Sequence, residues 1–588
     1  MIDIEKEKLA GDHKMPFKEM MKRNLLYVKP EIKSFFLALI LIFINVGLDV
    51  IVPLITKEIT NNLKDTINIS LYYIIGLVIA YFLLTIFNQV FLYFESMILQ
   101  KAGQRIIYKL RIDVYKHVEE MSINQLNAMP VGSLVTRVCN YTQAMSDLFT
   151  NVIVNVIKNV LTIIAVYVIM LCISPSLTGV LTGFVVVVFI ISYFFSKNIK
   201  IIFRNERRYV SDLNTFLNEN ISGMKLIQLF NKEKKKEEEF NVKNNSLKKA
   251  RYRVSIAFGI YRPLISCLYY LALATTFVLG IKFGLDSGEI VAFYLFLSRF
   301  FNPVQHLADQ LNNLQRATTA SERIFNLMDV KPDVKDEPDA LEIDKFKGKI
   351  EFKHVYFAYE DENWILKDVS FVINPKESCA FVGATGAGKT TILSLIVRNF
   401  EIQKGEILID DINIKHIKIS SLRKAIGQML QDVFLFSGTI KSNITLNDPT
   451  YSDEEIKKTC DYVNASSFID KLDKGINEEI IERGENLSSG QRQLLSFART
   501  VSAKPQILIL DEATANIDTE TEAIIQDSLK KIKTLGTMLI VAHRLSTIQH
   551  SDQIIVLQNG EVIERGTHQD LLKEKGYYYK LYKLQFEK

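Results

Sequence analysis

Residues 381–391 read FVGATGAGKTT, which places glycines, a lysine and threonines in the spacing G-x-x-x-x-G-K-[ST]. Glycines allow a tight turn in which successive backbone N–H groups and the start of a helix point at one anion. Apolar runs at 379–382 and 392–396 flank the pattern. The sequence therefore predicts a strand, a phosphate-binding loop and a helix, in that order.

The side chains of this loop have separate predicted roles. Lys389 is expected to reach the β- and γ-phosphates of a nucleotide, and Thr390 to offer its hydroxyl to a bridging Mg²⁺. The predicted nucleotide-binding residues of the loop are Gly383, Ala384, Thr385, Gly386, Ala387, Gly388, Lys389, Thr390 and Thr391.

Two acids follow the apolar run 506–510. A buried strand that ends in acids places negative charge where a phosphate crevice lies. Asp511 is expected to hold Mg²⁺ through water, and Glu512 to polarise the water that attacks the phosphate.

The elements that position these residues occupy only the second half of the chain. From residue 349 onward, short β-branched strands alternate with helices, which is typical of an α/β nucleotide-binding domain. Residues 329–348 are polar and contain proline, and we interpret them as a linker. We expect residues 1–34 to be a cytoplasmic segment and residues 35–328 to form a transmembrane domain.

The first half of the chain contains six apolar runs. They are 35–55, 71–94, 152–173, 177–195, 264–281 and 290–307. Each can cross a hydrocarbon core about 30 Å thick at about 1.5 Å per residue. The predicted fold class is therefore a bundle of six transmembrane helices with long cytoplasmic extensions, followed by the α/β domain.

Basic residues concentrate in the stretches 101–116 and 197–236, between the predicted spans. The positive-inside rule places both stretches, both chain termini and the nucleotide-binding domain in the cytoplasm. The net charge of +5 is small for 588 residues, and this topology explains the basic patches. Composition therefore argues against a nucleic-acid partner.

Four polar residues stand out inside the predicted spans or directly after one, namely Asp49, Asn88, Glu95 and Arg299. A charged side chain at membrane depth is costly and therefore calls for a partner or a function. Asp49 and Arg299 are candidates for lining a transport cavity. The alternative is that they form helix–helix contacts or extend to the membrane interface.

One further motif points to a family. Leu487, Ser488, Ser489, Gly490 and Gln491 form the sequence LSSGQ, which resembles the signature motif of ATP-binding cassette (ABC) transporters. The resemblance implies that ATP and Mg²⁺ are the cofactors and that this motif contacts the ATP of a partner. It also implies further roles: Tyr359 for adenine stacking, Gln431 for Mg²⁺, Asp518 in the D-loop, and His543 at the γ-phosphate.

The resemblance extends to the exporter branch, through Glu482-Arg483-Gly484 before the signature and Ser298-Arg299-Phe300 in the last span. It implies an ATP hydrolase that exports an amphipathic solute, namely a drug, lipid or peptide, by alternating access. Such a half-transporter must pair with a second half-transporter and lies among membrane lipids, in a bacterial plasma membrane.

The signature reads LSSGQ in place of the common LSGGQ, and the D-loop reads ANID where SALD is frequent. These departures resemble subunits of heterodimeric exporters, so we expect a heterodimer in which this chain supplies Glu512 to the competent site. A homodimeric lipid flippase or exporter is one alternative. A membrane-anchored ATPase that senses rather than transports is another.

Overall fold

The structure is a computed structural model that describes residues 13–64, 71–359, 363–430, 433–511, 519–541 and 548–586. Side chains at 305–309 and 311–312 lie outside this description, as do those at 64, 519–521 and 585–586. The chain divides into two compact units. The first contains Met1–Glu119 and Met129–Val330, and the second contains Glu120–Ala128 and Lys331–Lys588.

Helices build the first part of the chain. They are α1 Phe17–Val28, α2 Ile32–Lys64, α3 Leu71–Glu120, α4 Ile123–Asn127, α5 Val131–Thr136, α6 Thr142–Asp147, α7 Val154–Ile173, α8 Pro175–Ser222, α9 Met224–Leu229, α10 Glu233–Lys282 and α11 Ser287–Met328. A 3₁₀ turn at Lys29–Glu31 joins α1 to α2, and π-helical turns at Arg137–Tyr141 and Leu148–Ile153 flank α6.

Five helical stretches among the described residues are long and apolar enough to cross a membrane. They are Phe17–Leu63, Leu71–Glu120, Val131–Ile173, Pro175–Ser222 and Glu233–Lys282. The predicted sixth span, 290–307, lies within α11. The chain is therefore a multi-pass membrane protein. Helix α3 alone has 50 residues, or about 75 Å, so it extends far beyond a bilayer core of about 30 Å.

Apolar side chains from five helices, α2, α7, α8, α10 and α11, form the centre of the bundle. Val166 of α7, Leu177 of α8, Ile265 of α10 and Phe293 and Phe296 of α11 are fully buried there. Because they come from helices that are distant in sequence, this packing joins the second half of the bundle into one core.

Three sheets form the second unit. The strands are β1 Ile350–Ala358, β2 Trp364–Ile373, β3 Ser378–Val382, β4 Lys404–Ile409, β5 Ile412–Asn413, β6 Ile426–Met429, β7 Gly438–Thr439, β8 Glu479–Ile480, β9 Ile507–Asp511, β10 Thr537–Val541, β11 Gln553–Gln558 and β12 Glu561–Gly566. The central sheet has the order β12-β11-β3-β10-β9-β6. A second sheet has the order β2-β1-β4-β5, and β7 pairs with β8.

Helices cover these sheets. They are α12 Lys389–Ile396, α13 Ile419–Ala425, α14 Ile440–Thr445, α15 Asp453–Tyr462, α16 Ser466–Ile469, α17 Ser489–Ser502, α18 Thr519–Ile532, α19 His568–Glu574 and α20 Tyr577–Phe586. One apolar core lies around β3 and α12, and a second lies around α17 and the helices near it. The phosphate-binding loop and the signature motif therefore belong to different packing clusters of the same unit.

The segment that precedes β1 packs onto this unit through Arg398, whose side chain is only 2% exposed. Its guanidinium donates to the carbonyl oxygens of Lys335 at 2.8 Å, Ile414 at 3.2 Å and Ile417 at 3.1 Å. Glu401 accepts a further hydrogen bond at 2.8 Å. Buried carbonyl groups need donors, so this arginine joins the segment before β1 to the turn at residues 414–417.

Candidate nucleotide site

The loop between β3 and α12 has a backbone that only glycine suits. Gly386 has φ +83° and Gly388 has φ +100°, both in the left-handed region. A Cβ on Gly388 would lie 2.6 Å from Cδ2 of Leu366, and one on Gly383 would lie 2.4 Å from the carbonyl oxygen of Leu557. The glycine spacing is therefore a requirement of the packing as well as of the turn.

Lys389 is the first residue of α12 and is 7% exposed. Its Nζ donates to the carbonyl oxygens of Gly383 at 2.7 Å and Ala384 at 3.1 Å. The ammonium group therefore lies across the loop, at the start of the helix where phosphates bind in such loops. Thr390, the next residue, is exposed in the first turn of α12.

The parallel strands bring Asp511 to the edge of the sheet that carries the phosphate loop. Val541 of β10 is in register with Phe381 of β3 on one side and with Asp511 of β9 on the other. Adjacent strands lie about 4.8 Å apart, so Asp511 is two strands, or about 10 Å, from the strand that carries the phosphate loop. The carboxyl ends of parallel strands are where α/β sheets bind ligands.

Four predicted residues, Gln431, Glu512, Asp518 and His543, lie outside the described residues. The described elements end or begin beside them. Strand β6 ends at Met429, β9 ends at Asp511, β10 ends at Val541 and α18 begins at Thr519. Their assigned roles remain predictions.

Tyr359 follows β1 and is 44% exposed. Its hydroxyl forms a hydrogen bond of 3.1 Å with Oγ1 of Thr391 in α12. Phe357 and Phe400 hold its ring edge-to-face, at centroid distances of 4.9 and 5.1 Å. An exposed aromatic ring beside the phosphate-binding helix can stack on a base.

The signature motif forms the start of α17. Ser488 is the N-cap: its Oγ accepts from the backbone N–H of Gln491 at 3.2 Å, and Gln491 Oε1 accepts from the backbone N–H of Ser488 at 2.9 Å. Leu487 and Gly490 are buried, whereas Ser488 and Ser489 are exposed. This reciprocal capping presents the two serines on the surface of the unit.

The donor set near the loop fits Mg²⁺. Among the described residues, no group of three or more histidine, cysteine or acidic side chains could hold a metal ion. Mg²⁺ keeps several waters and binds one or two protein oxygens together with substrate phosphates. The hydroxyl of Thr390 and the carboxylate of Asp511, with the predicted Gln431, would hold it, and the ion would neutralise phosphate charge.

In the membrane unit, the structure joins the two predicted cavity residues. Arg299 NH1 donates to Oδ1 of Asp49 at 3.4 Å, and Asn88 Nδ2 donates to the same oxygen at 2.9 Å. The side chain of Arg299 is 29% exposed and that of Asp49 is 36% exposed. The pair therefore joins two helices, and both side chains remain partly exposed. Its role in a cavity remains a prediction.

The sequence interpretation missed Lys158. This lysine lies inside the apolar run 152–173 and pairs with Glu95 at 3.3 Å. A charge within an apolar run or at its end is the signal that had singled out Glu95, so the same criterion could have found its partner.

Comparison with known proteins places this site in a family. The model of the ABC transporter transmembrane region matches residues 35–304, and the ABC transporter model matches residues 366–515. A protein of Streptococcus pneumoniae, described as putative ABC transporter ATP-binding protein exp8, is 35% identical over 573 residues, which cover 96% of this chain and 97% of that protein. The chain belongs to the ABC transporter family.

A second relative and a solved structure are also similar to this chain. The probable multidrug resistance ABC transporter ATP-binding/permease protein YheH of Bacillus subtilis is 37% identical to this ABC transporter over 512 residues, covering 85% of this chain and 75% of that protein. The solved structure of a bacterial Atm1-family ABC exporter with ATP bound shares the fold with a TM-score of 0.79, at 24% identity, over 95% of this chain and 99% of that chain. The predicted fold class is confirmed, as is the prediction of an ATPase coupled to transport.

Proposed function

We propose that this ABC transporter exports an amphipathic solute, as one half of a dimer that alternates between inward-facing and outward-facing states. The observation that carries the proposal is that one chain holds both a bundle of membrane helices and a nucleotide unit with a phosphate loop and a signature motif. The described function of the similar Bacillus subtilis protein, multidrug resistance, supports an amphipathic substrate.

A cavity in the membrane unit supports the same substrate class. Its volume is about 420 Å³, which is within the size range of small-molecule sites. The described residues that line it are Val152, Ile153, Val156, Ile157, Phe189, Ser192, Tyr193, Ser196, Val304, Gln310 and Leu314. Apolar side chains with a few hydroxyl and amide groups suit a molecule that is mostly apolar.

At the nucleotide site, each residue has a proposed task. Tyr359 stacks on adenine, Lys389 binds the phosphates, and the loop from Gly383 to Thr391 surrounds them. Thr390, Gln431 and Asp511 hold Mg²⁺. Glu512 orients and activates the attacking water, and His543 contacts the γ-phosphate.

The signature motif supports pairing. Ser488 and Ser489 are exposed at the start of α17, which is a suitable surface for the nucleotide of a second half-transporter. Asp518 would lie at the same interface. Ser489 replaces the glycine of the common motif and adds a side chain where the backbone approaches phosphate. We therefore propose a heterodimer in which this chain contributes Glu512 to the competent site and Ser489 to the weaker one.

The topology follows from charge. Basic residues concentrate in 101–116 and 197–236, so the extensions of the spans and the nucleotide unit face the cytoplasm. The transmembrane domain is proposed to occupy 35–328 and the nucleotide-binding domain 349–588, in a bacterial plasma membrane and surrounded by its lipids.

The mass and the ATPase activity of the full chain, purified alone in lipid, test the pairing. We expect the chain alone to hydrolyse ATP poorly, and to become active with a different half-transporter in a manner that Glu512→Gln abolishes. A dimer of this chain alone with two active sites would contradict the heterodimer. An absence of ATP hydrolysis in every pairing would contradict the ATPase assignment.

A further inference from the structure

A second polar cluster in the membrane unit joins three helices around Glu95. The carboxylate of Glu95, which is 5% exposed, accepts from Nδ2 of Asn45 at 2.6 Å. Lys158 Nζ donates to the two carboxylate oxygens at 3.3 and 3.5 Å. Asn45 lies on α2, Glu95 on α3 and Lys158 on α7. The middle of the apolar run 35–55 contains Asn45, so the cluster lies at membrane depth.

The cluster contains one acceptor that the protein does not use. Asn45 is 1% exposed, and its Oδ1 is buried without a hydrogen-bond partner among the described residues. Within an amide group, the oxygen lies about 2.2 Å from the nitrogen. Oδ1 is therefore only a few ångströms from the carboxylate, and an unsatisfied buried acceptor calls for a donor.

Apolar packing surrounds these groups. Ile42 and Val46 of α2, Leu99 of α3 and Val154 of α7 form one buried apolar cluster. Each of them lies within four positions of the polar residue on its own helix. In such a medium, a carboxylate requires a cation close by. Lys158 provides one, but its side chain is 23% exposed whereas that of Glu95 is 6% exposed. Of the two charged groups, the more exposed ammonium of Lys158 is therefore the one that can move away from the pair.

We propose that Glu95 and Asn45 form a binding site for the ammonium group of an amphipathic substrate, and that Lys158 occupies this site when the substrate is absent. This inference rests on the export function proposed above and narrows its substrate class to cationic amines. A bound ammonium donates to the Glu95 carboxylate and to Oδ1 of Asn45, which satisfies both acceptors. Lys158 then moves toward its exposed side.

Aromatic side chains on α3 provide a place for the apolar part of such a molecule. Phe87, Phe91 and Glu95 are spaced four residues apart, so they follow one face of the helix. The rings of Phe87 and Phe91 stack with their centroids 6.4 Å apart, and Phe87 is 51% exposed. An apolar stripe that ends at a carboxylate matches a molecule with an apolar body and an amine head group.

Equilibrium binding tests the proposal with two matched probes, 6-(1-naphthyl)hexylamine and its N-acetyl derivative, which lacks the charge. Fluorescence polarisation gives the Kd of each for the full chain in lipid nanodiscs. Lys158→Met removes the internal competitor, and we expect it to lower the Kd of the amine by about tenfold. Glu95→Gln should raise that Kd by at least about tenfold. Neither variant should change the Kd of the acetylated probe.

The control variant is Lys57→Met, which breaks the comparable ion pair of Lys57 with Glu289 at 3.0 Å. Lys57 is twelve positions from Asn45 on α2, or about 18 Å along the helix, so its replacement should leave both Kd values unchanged. The double variant Glu95→Gln/Lys158→Met keeps the cluster neutral. Melting temperatures of the two single variants, compared with those of the double variant and the unmodified chain, show whether the single variants have lost their fold.

The cation site would be established if the two single variants change the Kd of the amine in opposite directions and leave the Kd of the acetylated probe unchanged. If the cluster only holds the helices together, the Kd values of both probes would change in the same direction in both variants. This result would overturn the proposal. Failure of the amine to bind the unmodified chain would also overturn it. Binding with the expected signs but without ATP-driven uptake would contradict export while keeping the site.

Discussion

The hydroxyl groups of Tyr359 and Thr391 form a hydrogen bond of 3.1 Å that ties the end of β1 to the helix after the phosphate loop. Because α12 also carries Lys389, this contact fixes the distance between the ring that would hold adenine and the amine that would hold phosphate. The two ends of the nucleotide site are therefore positioned before ATP binds, which reduces the entropy cost of binding.

Replacing the ring of Tyr359 should weaken ATP binding more than removing its hydroxyl. Stacking of a base on an aromatic side chain contributes about 1–3 kcal/mol, so Tyr359→Ala should raise the Kd for ATP by about 5- to 150-fold. Tyr359→Phe keeps the ring and loses only the bond to Thr391, so its Kd should change less than about threefold. Titration of the full chain with a fluorescent ATP analogue measures both. Equal losses in the two variants would show that adenine does not stack here.

The two left-handed glycines of the phosphate loop should differ in their tolerance of a methyl group. A Cβ on Gly388 meets Leu366 at 2.6 Å, whereas a Cβ on Gly386 meets nothing within 4 Å. Gly388→Ala should therefore abolish ATP binding and lower the melting temperature. Gly386→Ala should cost only the backbone strain, about 1–2 kcal/mol. ATP binding and thermal unfolding of both variants, measured in parallel, would reveal the difference. If Gly388→Ala bound ATP and unfolded as Gly386→Ala does, this result would contradict the loop geometry.

Arg398 should be among the most sensitive residues for stability in the nucleotide unit. Arg398→Met removes the side-chain donor to the carbonyl oxygens of Lys335, Ile414 and Ile417, and the bonds to Ile414 and Ile417 are buried. We expect a loss of about 2–4 kcal/mol in unfolding free energy. The control is Lys418→Met, which breaks an exposed pair with Glu342 at 2.7 Å and should cost less than about 1 kcal/mol. Denaturant unfolding monitored at Trp364 measures both changes. Similar losses in the two variants would refute the anchoring role of Arg398.

Local patterns in the sequence predicted those parts of the fold that depend on neighbouring residues. The phosphate loop, the apolar spans and the acid at the end of β9 are each contained in a short stretch, so spacing and hydropathy sufficed to locate them. The lengths of the membrane helices were harder to predict, because α3 and α8 continue through polar residues after their apolar runs end.

Contacts between distant residues could not be predicted from patterns. Asp49 and Arg299 were each recognised as unusual, but they are 250 positions apart, and nothing local indicates that they pair. Arg398 resembled any exposed arginine after a helix, because its partners are backbone carbonyls that carry no sequence signal. Glu95 was recognised without Lys158, its partner 63 positions away.

The decisive test of export is ATP-driven uptake of a solute into vesicles. The full chain is reconstituted alone and with the proposed second half-transporter, so that ATP added outside reaches outward-facing nucleotide units. The lumen is assayed for either naphthylhexyl probe. With the unmodified chain, we expect a probe to accumulate in the vesicle lumen only when ATP is present. Glu512→Gln should still bind ATP but give no accumulation, because it removes the carboxylate that we propose activates water. ATP hydrolysis that Glu512→Gln abolishes, without accumulation of either probe, would contradict export and indicate an ATPase that serves another role.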